Sequence, residues 1–292
     1  MRAQSASKPK GQLIREVIKL IRVKQWVKNG FVLAPLLFTG KFTDAMAVRD
    51  TVIAFILFCL ASSATYIVND LKDIDRDRLH LKKSKSRPLA SGTISKSFAL
   101  CLLFGLYVIL LSGFFLAPKV MAVIAGYLCL NLAYTFVLKH QPVIDIFTIA
   151  LGFVLRVLAG AVALNAPVSG WMFVTTLCLA LYLAAIKRGQ ELSRNGTEGR
   201  IVLTKYTKSL TDKYAEMSAT CALVFYSMFV MASRQELIIT VPLVLFGLFR
   251  YWYVVEVLDG GESPTDALLS DKLLLLTVVL WGAACIWAHW AI

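Results

Sequence analysis

The stretch from Asn69 to Asp77 carries the residues of this chain best suited to chemistry. It reads Asn69-Asp70-Leu71-Lys72-Asp73-Ile74-Asp75-Arg76-Asp77 and follows directly on a long apolar segment. Carboxylates this dense beside a membrane span are costly unless a cation lies among them. On a helix, Asn69, Asp73 and Asp77 share one face, about 6 Å apart per step. Such oxygen ligands suit Mg²⁺, which usually takes one or two carboxylates plus substrate phosphates.

Basic residues begin within this stretch and continue through the loop behind it: Lys72, Arg76, Arg78, Lys82, Lys83, Lys85 and Arg87. Carboxylates beside such a loop indicate a metal–diphosphate site at the membrane surface. We expect Asn69, Asp73 and Asp77 to be the metal ligands and catalytic residues, with Lys82, Lys83 and Arg87 contacting the diphosphate. The competing interpretation is a solvated helix end whose acids are neutralised by their neighbours.

The composition predicts an all-α integral membrane protein. Of 292 residues, 58% are hydrophobic, and they fall in long runs typical of membrane helices. We predict nine spans, at 27–41, 46–68, 94–116, 119–138, 142–164, 169–186, 214–233, 237–255 and 273–291. Residues 1–12 are expected to be a disordered polar N-terminus. Residues 13–292 are expected to form a single transmembrane catalytic domain with cytoplasmic loops at 69–93 and 187–213, and residues 13–24 an amphipathic helix in the interface.

The 31 Lys and Arg residues predict the orientation of the chain. With the N-terminus in the cytoplasm, only Lys41, Arg49, Lys119 and Arg234 fall on outside segments, in accord with the positive-inside rule. The excess of basic charge therefore indicates topology and anionic membrane lipids rather than nucleic acid. The six Cys residues lie within the predicted spans and show no metal-ligand spacing, so we expect neither disulfides nor a zinc site.

Further polar residues fall on the same predicted inside face. They are candidates for binding substrate in one cavity that opens to the cytoplasm: Lys24, Lys28, Tyr134, Lys139, Asp145, Lys187, Arg188 and Glu191. For the single Lys and Arg residues, anchoring at the membrane surface is an equally good interpretation.

Arg156 lies well inside the fifth predicted span, where a charged side chain is functional by default. Either it pairs with an acid in the core, for which Asp145 lies three turns earlier on nearly the same face, or it binds an anionic ligand. We favour the ligand.

The motif Asn69-x-x-x-Asp73-x-x-x-Asp77 resembles the UbiA superfamily of intramembrane prenyltransferases. The resemblance covers nearly the whole chain and includes a Tyr134-Thr135-x-x-Leu138-Lys139 motif after the fourth span. It implies a UbiA-like bundle of nine helices, in which the first Asp-rich motif binds Mg²⁺ and a diphosphate.

The chain departs from the general family pattern after the sixth span. A second Asp-rich motif, of DxxxD type, is expected there, but the sequence reads Lys187-Arg188-Gly189-Gln190-Glu191. Asp212 and Glu216 follow too late, at the start of the next span, to replace it. This difference argues against a reaction in which two Asp clusters hold a prenyl diphosphate.

A phosphoribosyltransferase subgroup of the superfamily fits better. Four strings are similar to it: residues 22–29, Arg87-Pro88-Leu89-Ala90-Ser91-Gly92, Leu138-Lys139-His140-Gln141 and Gly152-Phe153-Val154-Leu155-Arg156. The resemblance implies Mg²⁺-dependent transfer of 5-phosphoribose from phosphoribosyl diphosphate (PRPP) to decaprenyl or another polyprenyl phosphate, giving the precursor of a lipid-linked arabinose donor for cell wall biosynthesis. It implies a multi-pass protein of the bacterial cytoplasmic membrane, and it leaves a homo-oligomer open.

Two other functions remain open from the residues alone. A UbiA-type enzyme could transfer a prenyl group from a prenyl diphosphate to an aromatic acceptor. A transporter or lipid-binding protein without catalysis would instead need polar side chains on both faces, and the predicted outside loops carry few.

Overall fold

The computed structural model describes residues 10–79, 83–195, 201–258 and 264–290, and within them the chain is helical. The α-helices are α1 Lys10–Leu20, α2 Ala34–Phe38, α3 Ala45–Lys72, α4 Ile74–Leu79, α5 Lys83–Ser86, α6 Lys96–Leu116, α7 Pro118–Phe136, α8 Ile144–Ala163, α9 Gly170–Asn195, α10 Lys208–Ser233, α11 Val241–Glu256, α12 Pro264–Ser270 and α13 Lys272–Trp290. Segments of 3₁₀ helix lie at Val23–Leu33, Lys41–Thr43, Leu138–His140, Ile201–Lys205 and Gln235–Thr240.

Eight helices in the described residues are long and apolar enough to cross a membrane: α3, α6, α7, α8, α9, α10, α13, and α11 together with the 3₁₀ turn before it. The prediction of an all-helical, multi-pass membrane protein is therefore confirmed, and eight of the predicted spans have a matching helix. The count of nine is not reproduced, because the first predicted span, 27–41, is not one long helix. It consists of the 3₁₀ segment Val23–Leu33 followed by the short α2.

Side chains of α3 and a glycine of α8 hold this first segment in place. Trp26 donates to the hydroxyl of Ser63 at 3.1 Å, and the amide of Asn29 donates to the hydroxyl of Ser62 at 3.1 Å. A Cβ on Gly160 would lie 1.9 Å from the carbonyl oxygen of Val32. The backbone of the 3₁₀ segment thus lies directly against α8, which only a residue without a side chain permits.

The predicted amphipathic helix is confirmed as α1. Its Leu20 is fully buried against α3, whereas Ile14 and Ile18 are exposed. Exposed apolar residues on a basic helix are typical of a helix lying in the membrane interface. Of the stretch predicted to be disordered, residues 10–12 belong to α1 and residues 1–9 lie outside the described part of the chain.

The two predicted loops contain more helix than expected. The loop at 69–93 begins with the last turn of α3 and includes α4 and α5, while α9 runs on to Asn195 and α10 begins at Lys208. The ends of α3, α7 and α9 and the start of α8 meet at one end of the bundle, because consecutive membrane helices run in opposite directions. The polar residues singled out above are therefore gathered at this end.

We expect Gly160→Ala to destabilise the protein by about 1–3 kcal/mol, because the added methyl group collides with the Val32 carbonyl and forces the 3₁₀ segment away from α8. Thermal unfolding of the purified protein in detergent measures this loss. Gly126→Ala on α7 is the matched control, since nothing lies within 4 Å of a Cβ placed there. Equal melting temperatures for the two variants would contradict this packing.

Candidate active site

A cavity of about 380 Å³ lies between the C-terminal parts of α3, α7 and α9, the N-terminal half of α8 and the Val23–Leu33 segment. Ten of the residues singled out from the sequence line it: Lys28, Asn69, Asp73, Asp77, Lys83, Arg87, Tyr134, Lys139, Arg156 and Lys187. Residues from distant parts of the sequence are thus brought to one polar pocket.

The Asp-rich motif keeps its helical register although the helix is interrupted within it. Asp73 caps the end of α3, and α4 begins at the next residue. The N–H of Asp73 donates to the carbonyl of Asn69 at 3.0 Å, and the N–H of Asp77 donates to the carbonyl of Asp73 at 2.8 Å. Since both bonds span four residues, Asn69, Asp73 and Asp77 stay on one face, and all three line the cavity.

Each carboxylate of this motif is paired with cations from elsewhere in the chain. Lys139, from the turn after α7, donates to both oxygens of Asp73 at 2.8 and 3.0 Å. Arg87 forms an ion pair with Asp77, and the ammonium of Lys83 lies 3.9 Å from the same carboxylate. The predicted closeness of acids and bases is therefore present, and Lys139 belongs to this group.

Asp70 supports the motif from behind. It does not line the cavity and is buried. It accepts from Arg22 at 2.5 Å and from Arg87 at 3.0 Å. Asp70 therefore holds Arg87 in position beside Asp77 and ties the end of α1 to α3.

The donor set fits a divalent metal that arrives with its substrate. Within the described residues, no three His, Cys, Asp or Glu side chains are grouped so as to hold a metal alone. Two carboxylates and the amide oxygen of Asn69 leave coordination positions for phosphate oxygens, which is how Mg²⁺ is usually bound in enzymes of phosphate esters.

Arg156 lies deeper and is bound differently. Its guanidinium is buried and donates to the amide oxygen of Asn29 at 2.8 Å, to the carbonyl of Gly152 at 2.7 Å and to the hydroxyl of Tyr127 at 3.2 Å. Among the described residues it has no carboxylate within ion-pair distance, and Asp145 pairs elsewhere. The alternative of an ion pair with Asp145 is therefore not supported, and the favoured role of Arg156 in binding an anionic ligand stays a prediction.

Lys28 faces the same cavity from the 3₁₀ segment, outside the membrane helices. Burial, together with the positive charges of Arg156 and Arg22, lowers the pKa of its ammonium group to about 8. Asp266, which lines the same cavity, offsets only part of this effect. Two neighbouring cations, Lys28 and Arg156, favour a bound anion, because an anion would relieve both the desolvation and the repulsion.

Arg188, Asp145 and Glu191 form a network behind the cavity wall rather than on it. Arg188 is buried and donates to Asp145 at 2.6 Å, to Glu191 at 2.7 Å and to the hydroxyl of Tyr134 at 3.2 Å. None of the three lines the cavity, so their predicted role as substrate ligands stays a prediction. Through Tyr134, which does line it, the network shapes the wall.

Tyr206 extends this network to the loop between α9 and α10. Its hydroxyl donates to Asp145 at 2.7 Å and accepts from the N–H of Val143 at 2.7 Å. Burial and the bond to Asp145 raise the pKa of Tyr206, so the hydroxyl remains a donor. Val143 has a φ of 67°, which is strained for a β-branched residue, and the bond from Tyr206 stabilises that turn.

Two further predicted residues are not placed in the cavity. Lys24 does not line the cavity and instead pairs with Asp266 of α12 at 2.5 Å. Lys82 lies outside the described residues, so its predicted contact with diphosphate stays a prediction.

The cavity is also lined by residues that were not predicted to bind metal or substrate: Arg22, Gln25, Arg76, Tyr127, Asn131, Thr135, His140 and Asp266. Tyr127 and Asn131 were detectable in principle, because with the predicted Tyr134 they recur every three or four residues along the otherwise apolar α7 and so share one face. Asp266 had no such signal, since it lies in a short acidic connection far along the chain.

Relatives and structural neighbours agree on the fold and family. The sequence profile of the UbiA prenyltransferase family matches residues 32–270. Decaprenyl-phosphate phosphoribosyltransferase of Mycolicibacterium smegmatis is 33% identical, over 96% of this chain and 94% of that protein. The enzyme of the same name from Corynebacterium glutamicum is 35% identical, and the match covers 94% of this chain and 86% of that protein.

Among solved structures, a UbiA homolog from Archaeoglobus fulgidus bound to DMAPP and Mg²⁺ is similar in fold. Its TM-score is 0.73 at 20% identity, with 95% of this chain and 100% of that chain covered. The profile match, the relatives and the fold confirm the resemblance carried by the Asp-rich motif, and the chain belongs to the UbiA prenyltransferase family.

Proposed function

We propose that this protein transfers 5-phosphoribose from PRPP to a polyprenyl phosphate such as decaprenyl phosphate and releases diphosphate. The observation that carries the proposal is its 33–35% identity, over 94–96% of its length, to enzymes named for this activity. The cavity supports it, because cations outnumber carboxylates along its wall and PRPP carries phosphate at both ends of the sugar.

The diphosphate of PRPP would bind at the Asp-rich motif. Asn69, Asp73 and Asp77 would hold a Mg²⁺ ion that neutralises the leaving group. Lys139, Lys83 and Arg87 already lie beside these carboxylates. They would turn to the diphosphate oxygens once the metal takes over the carboxylate charge, so the negative charge that develops on the leaving group meets cations already in place.

The reaction needs no general base. The bond between C1 of the ribose and the diphosphate oxygen breaks, and its electron pair leaves with the diphosphate. An oxygen of the lipid phosphate, already ionised at neutral pH, forms the new bond to C1. The side chains therefore contribute by placement and by electrostatic stabilisation rather than by proton transfer.

This chemistry accounts for the position of the site. A water-soluble donor and a membrane-bound acceptor meet only at the membrane surface. We place the protein in the bacterial cytoplasmic membrane, with the N-terminus and the cavity mouth in the cytoplasm, because the Lys and Arg residues cluster at that end. The product would supply an enzyme that modifies a lipid-linked pentose.

Purified protein incubated with Mg²⁺, PRPP labelled in the ribose and decaprenyl phosphate tests the proposal. We expect the label to move into the lipid phase with release of diphosphate. Label that stays in water, together with prenylation of an aromatic acceptor by a prenyl diphosphate in a parallel assay, would instead assign the general reaction of the family.

Asp73→Asn and Asp77→Asn should each lower the transfer rate by about 100-fold or more, because each removes a charged metal ligand beside the leaving group. Asp75→Asn is the matched control, since Asp75 is 89% exposed on the same helix and pairs only loosely with Arg78, at 3.4 Å. Full activity in a folded Asp73→Asn protein, or an equal loss in the control, would defeat the metal role.

Mg²⁺ alone should stabilise the protein little, whereas Mg²⁺ with PRPP should raise its melting temperature by several degrees. The physical reason is that Lys139 and Arg87 already neutralise Asp73 and Asp77. Mg²⁺ can therefore bind these carboxylates only when Lys139 and Arg87 pair with a diphosphate instead. Thermal unfolding with EDTA, Mg²⁺, PRPP and both together measures the synergy. A stabilisation by Mg²⁺ that PRPP does not increase would argue against it.

A further inference from the structure

The deep end of the cavity is separate from the Asp-rich motif and has its own character. Arg156 lies twelve residues after the first residue of α8, about 18 Å along the helix axis from the end at which the Asp-rich motif lies. A guanidinium at that depth is retained only where it is paired or functional. Within the described residues, no carboxylate pairs with it.

The guanidinium is held so that part of it remains available. Three of its N–H groups donate to Asn29, Gly152 and Tyr127, one from each nitrogen. A guanidinium has five N–H donors, so each terminal nitrogen keeps one that has no acceptor among the described residues. Asn29 is itself fixed by Ser62 and Cys59 of α3. The result is an oriented fork of the kind that binds a phosphate through two hydrogen bonds.

The surroundings of the fork are apolar. The rings of Phe58, Tyr127 and Phe153 lie 4.9–5.3 Å from the guanidinium carbon. The adjoining wall of the cavity is formed by Ile149, Phe153 and Leu183 of α8 and α9. A phosphate joined directly to a hydrocarbon suits this end, since the fork can bind the phosphate and the apolar wall can pack against the hydrocarbon.

The geometry of displacement points the same way. If the diphosphate leaves toward Asp73 and Asp77, the attacking oxygen must approach C1 from the opposite side of the ribose. Arg156 lines the cavity from deeper within the bundle, twelve residues after the first residue of α8. Arg76 and Lys187 are further lining cations and remain for the 5-phosphate of the soluble donor.

We propose that Arg156, oriented by Asn29 and Tyr127, binds the phosphate of the polyprenyl phosphate acceptor, with the first isoprene units along Ile149, Phe153 and Leu183. The assignment rests on the proposed function for the identity of the acceptor. It divides the cavity into a donor half at the Asp-rich motif and an acceptor half at Arg156.

Ligand-induced stabilisation tests the division without relying on catalysis. Decaprenyl phosphate in detergent micelles, without PRPP, should raise the melting temperature of the wild-type protein, and decaprenol should not. In Arg156→Gln this shift should disappear, whereas the shift given by Mg²⁺ with PRPP should remain. Arg156→Lys should show part of the shift given by decaprenyl phosphate, because an ammonium keeps the positive charge but lacks the paired hydrogen-bond donors of a guanidinium. Arg49→Gln, an exposed outer cation paired with Asp50, is the control for folding and insertion.

Kinetics provide a second readout. In Arg156→Gln the KM for decaprenyl phosphate should rise by about tenfold or more, with the KM for PRPP changed by less than about twofold. Leu183→Trp, which narrows the apolar wall and leaves the charge intact, should also raise the lipid KM alone, and it tests the proposal if Arg156→Gln does not fold.

Two results for Arg156→Gln would overturn the assignment. One is loss of the melting-temperature shift given by Mg²⁺ with PRPP, whether or not the shift given by decaprenyl phosphate is also lost. The other is an unchanged shift with decaprenyl phosphate. Failure of the proposed function looks different. In that case the wild-type protein transfers no label from PRPP although decaprenyl phosphate still stabilises it through Arg156.

Discussion

Negative charge at the mouth of the cavity is tolerated only because distant cations neutralise it. Asp73 and Asp77 line the cavity with side chains that are largely buried, and each would be costly to hold there alone. Lys139, from the turn after α7, and Arg87, from the loop before α6, supply the balancing charge. Asp70 then holds Arg87 and Arg22 from behind. This charge balance joins four separate segments of the chain into one site.

The same balance explains how the site could be both stable and reactive. The cations that stabilise the carboxylates in the free protein are those that a diphosphate would need. If the protein acts as proposed, binding of a metal with its diphosphate would exchange one set of ion pairs for another, so few new charges would have to be buried at the moment of reaction. Stabilising groups that are already oriented cost little reorganisation when charge develops on the leaving group.

Two buried arginines in the same protein illustrate how partners distinguish structural from binding roles. Arg188 is surrounded by Asp145, Glu191 and Tyr134, and its charge is fully compensated within the protein. Arg156 has only neutral acceptors and aromatic rings among the described residues. The first therefore fastens α8 to α9, while the second carries a positive charge that no carboxylate of the described residues balances.

Much of the site could be predicted from local sequence patterns. The register of Asn69, Asp73 and Asp77 follows from helical spacing, and it persists across the break at Asp73 because the hydrogen bonds still span four residues. The depth of Arg156 also follows from its position within an apolar run. What local patterns could not give is pairing between distant residues, such as Arg188 with Asp145, 43 residues apart on another helix.

The break of the first apolar stretch was hidden for a related reason. Its composition suits a membrane helix, yet its course is decided by contacts with Gly160 of α8 and with Ser62 and Ser63 of α3. Lys24 was likewise assigned to substrate because its partner, Asp266, lies more than two hundred residues later in a short connection. Tertiary contacts of this kind leave no periodic signal in the sequence.

A structure of the protein with Mg²⁺ and PRPP bound would show whether the ion pairs of Asp73 and Asp77 are exchanged for contacts with diphosphate. We expect a metal between the carboxylates of Asp73 and Asp77, with the ammonium of Lys139 and the guanidinium of Arg87 moved from those carboxylates onto diphosphate oxygens. PRPP bound elsewhere, with the ion pairs from Lys139 to Asp73 and from Arg87 to Asp77 unchanged, would contradict this expectation.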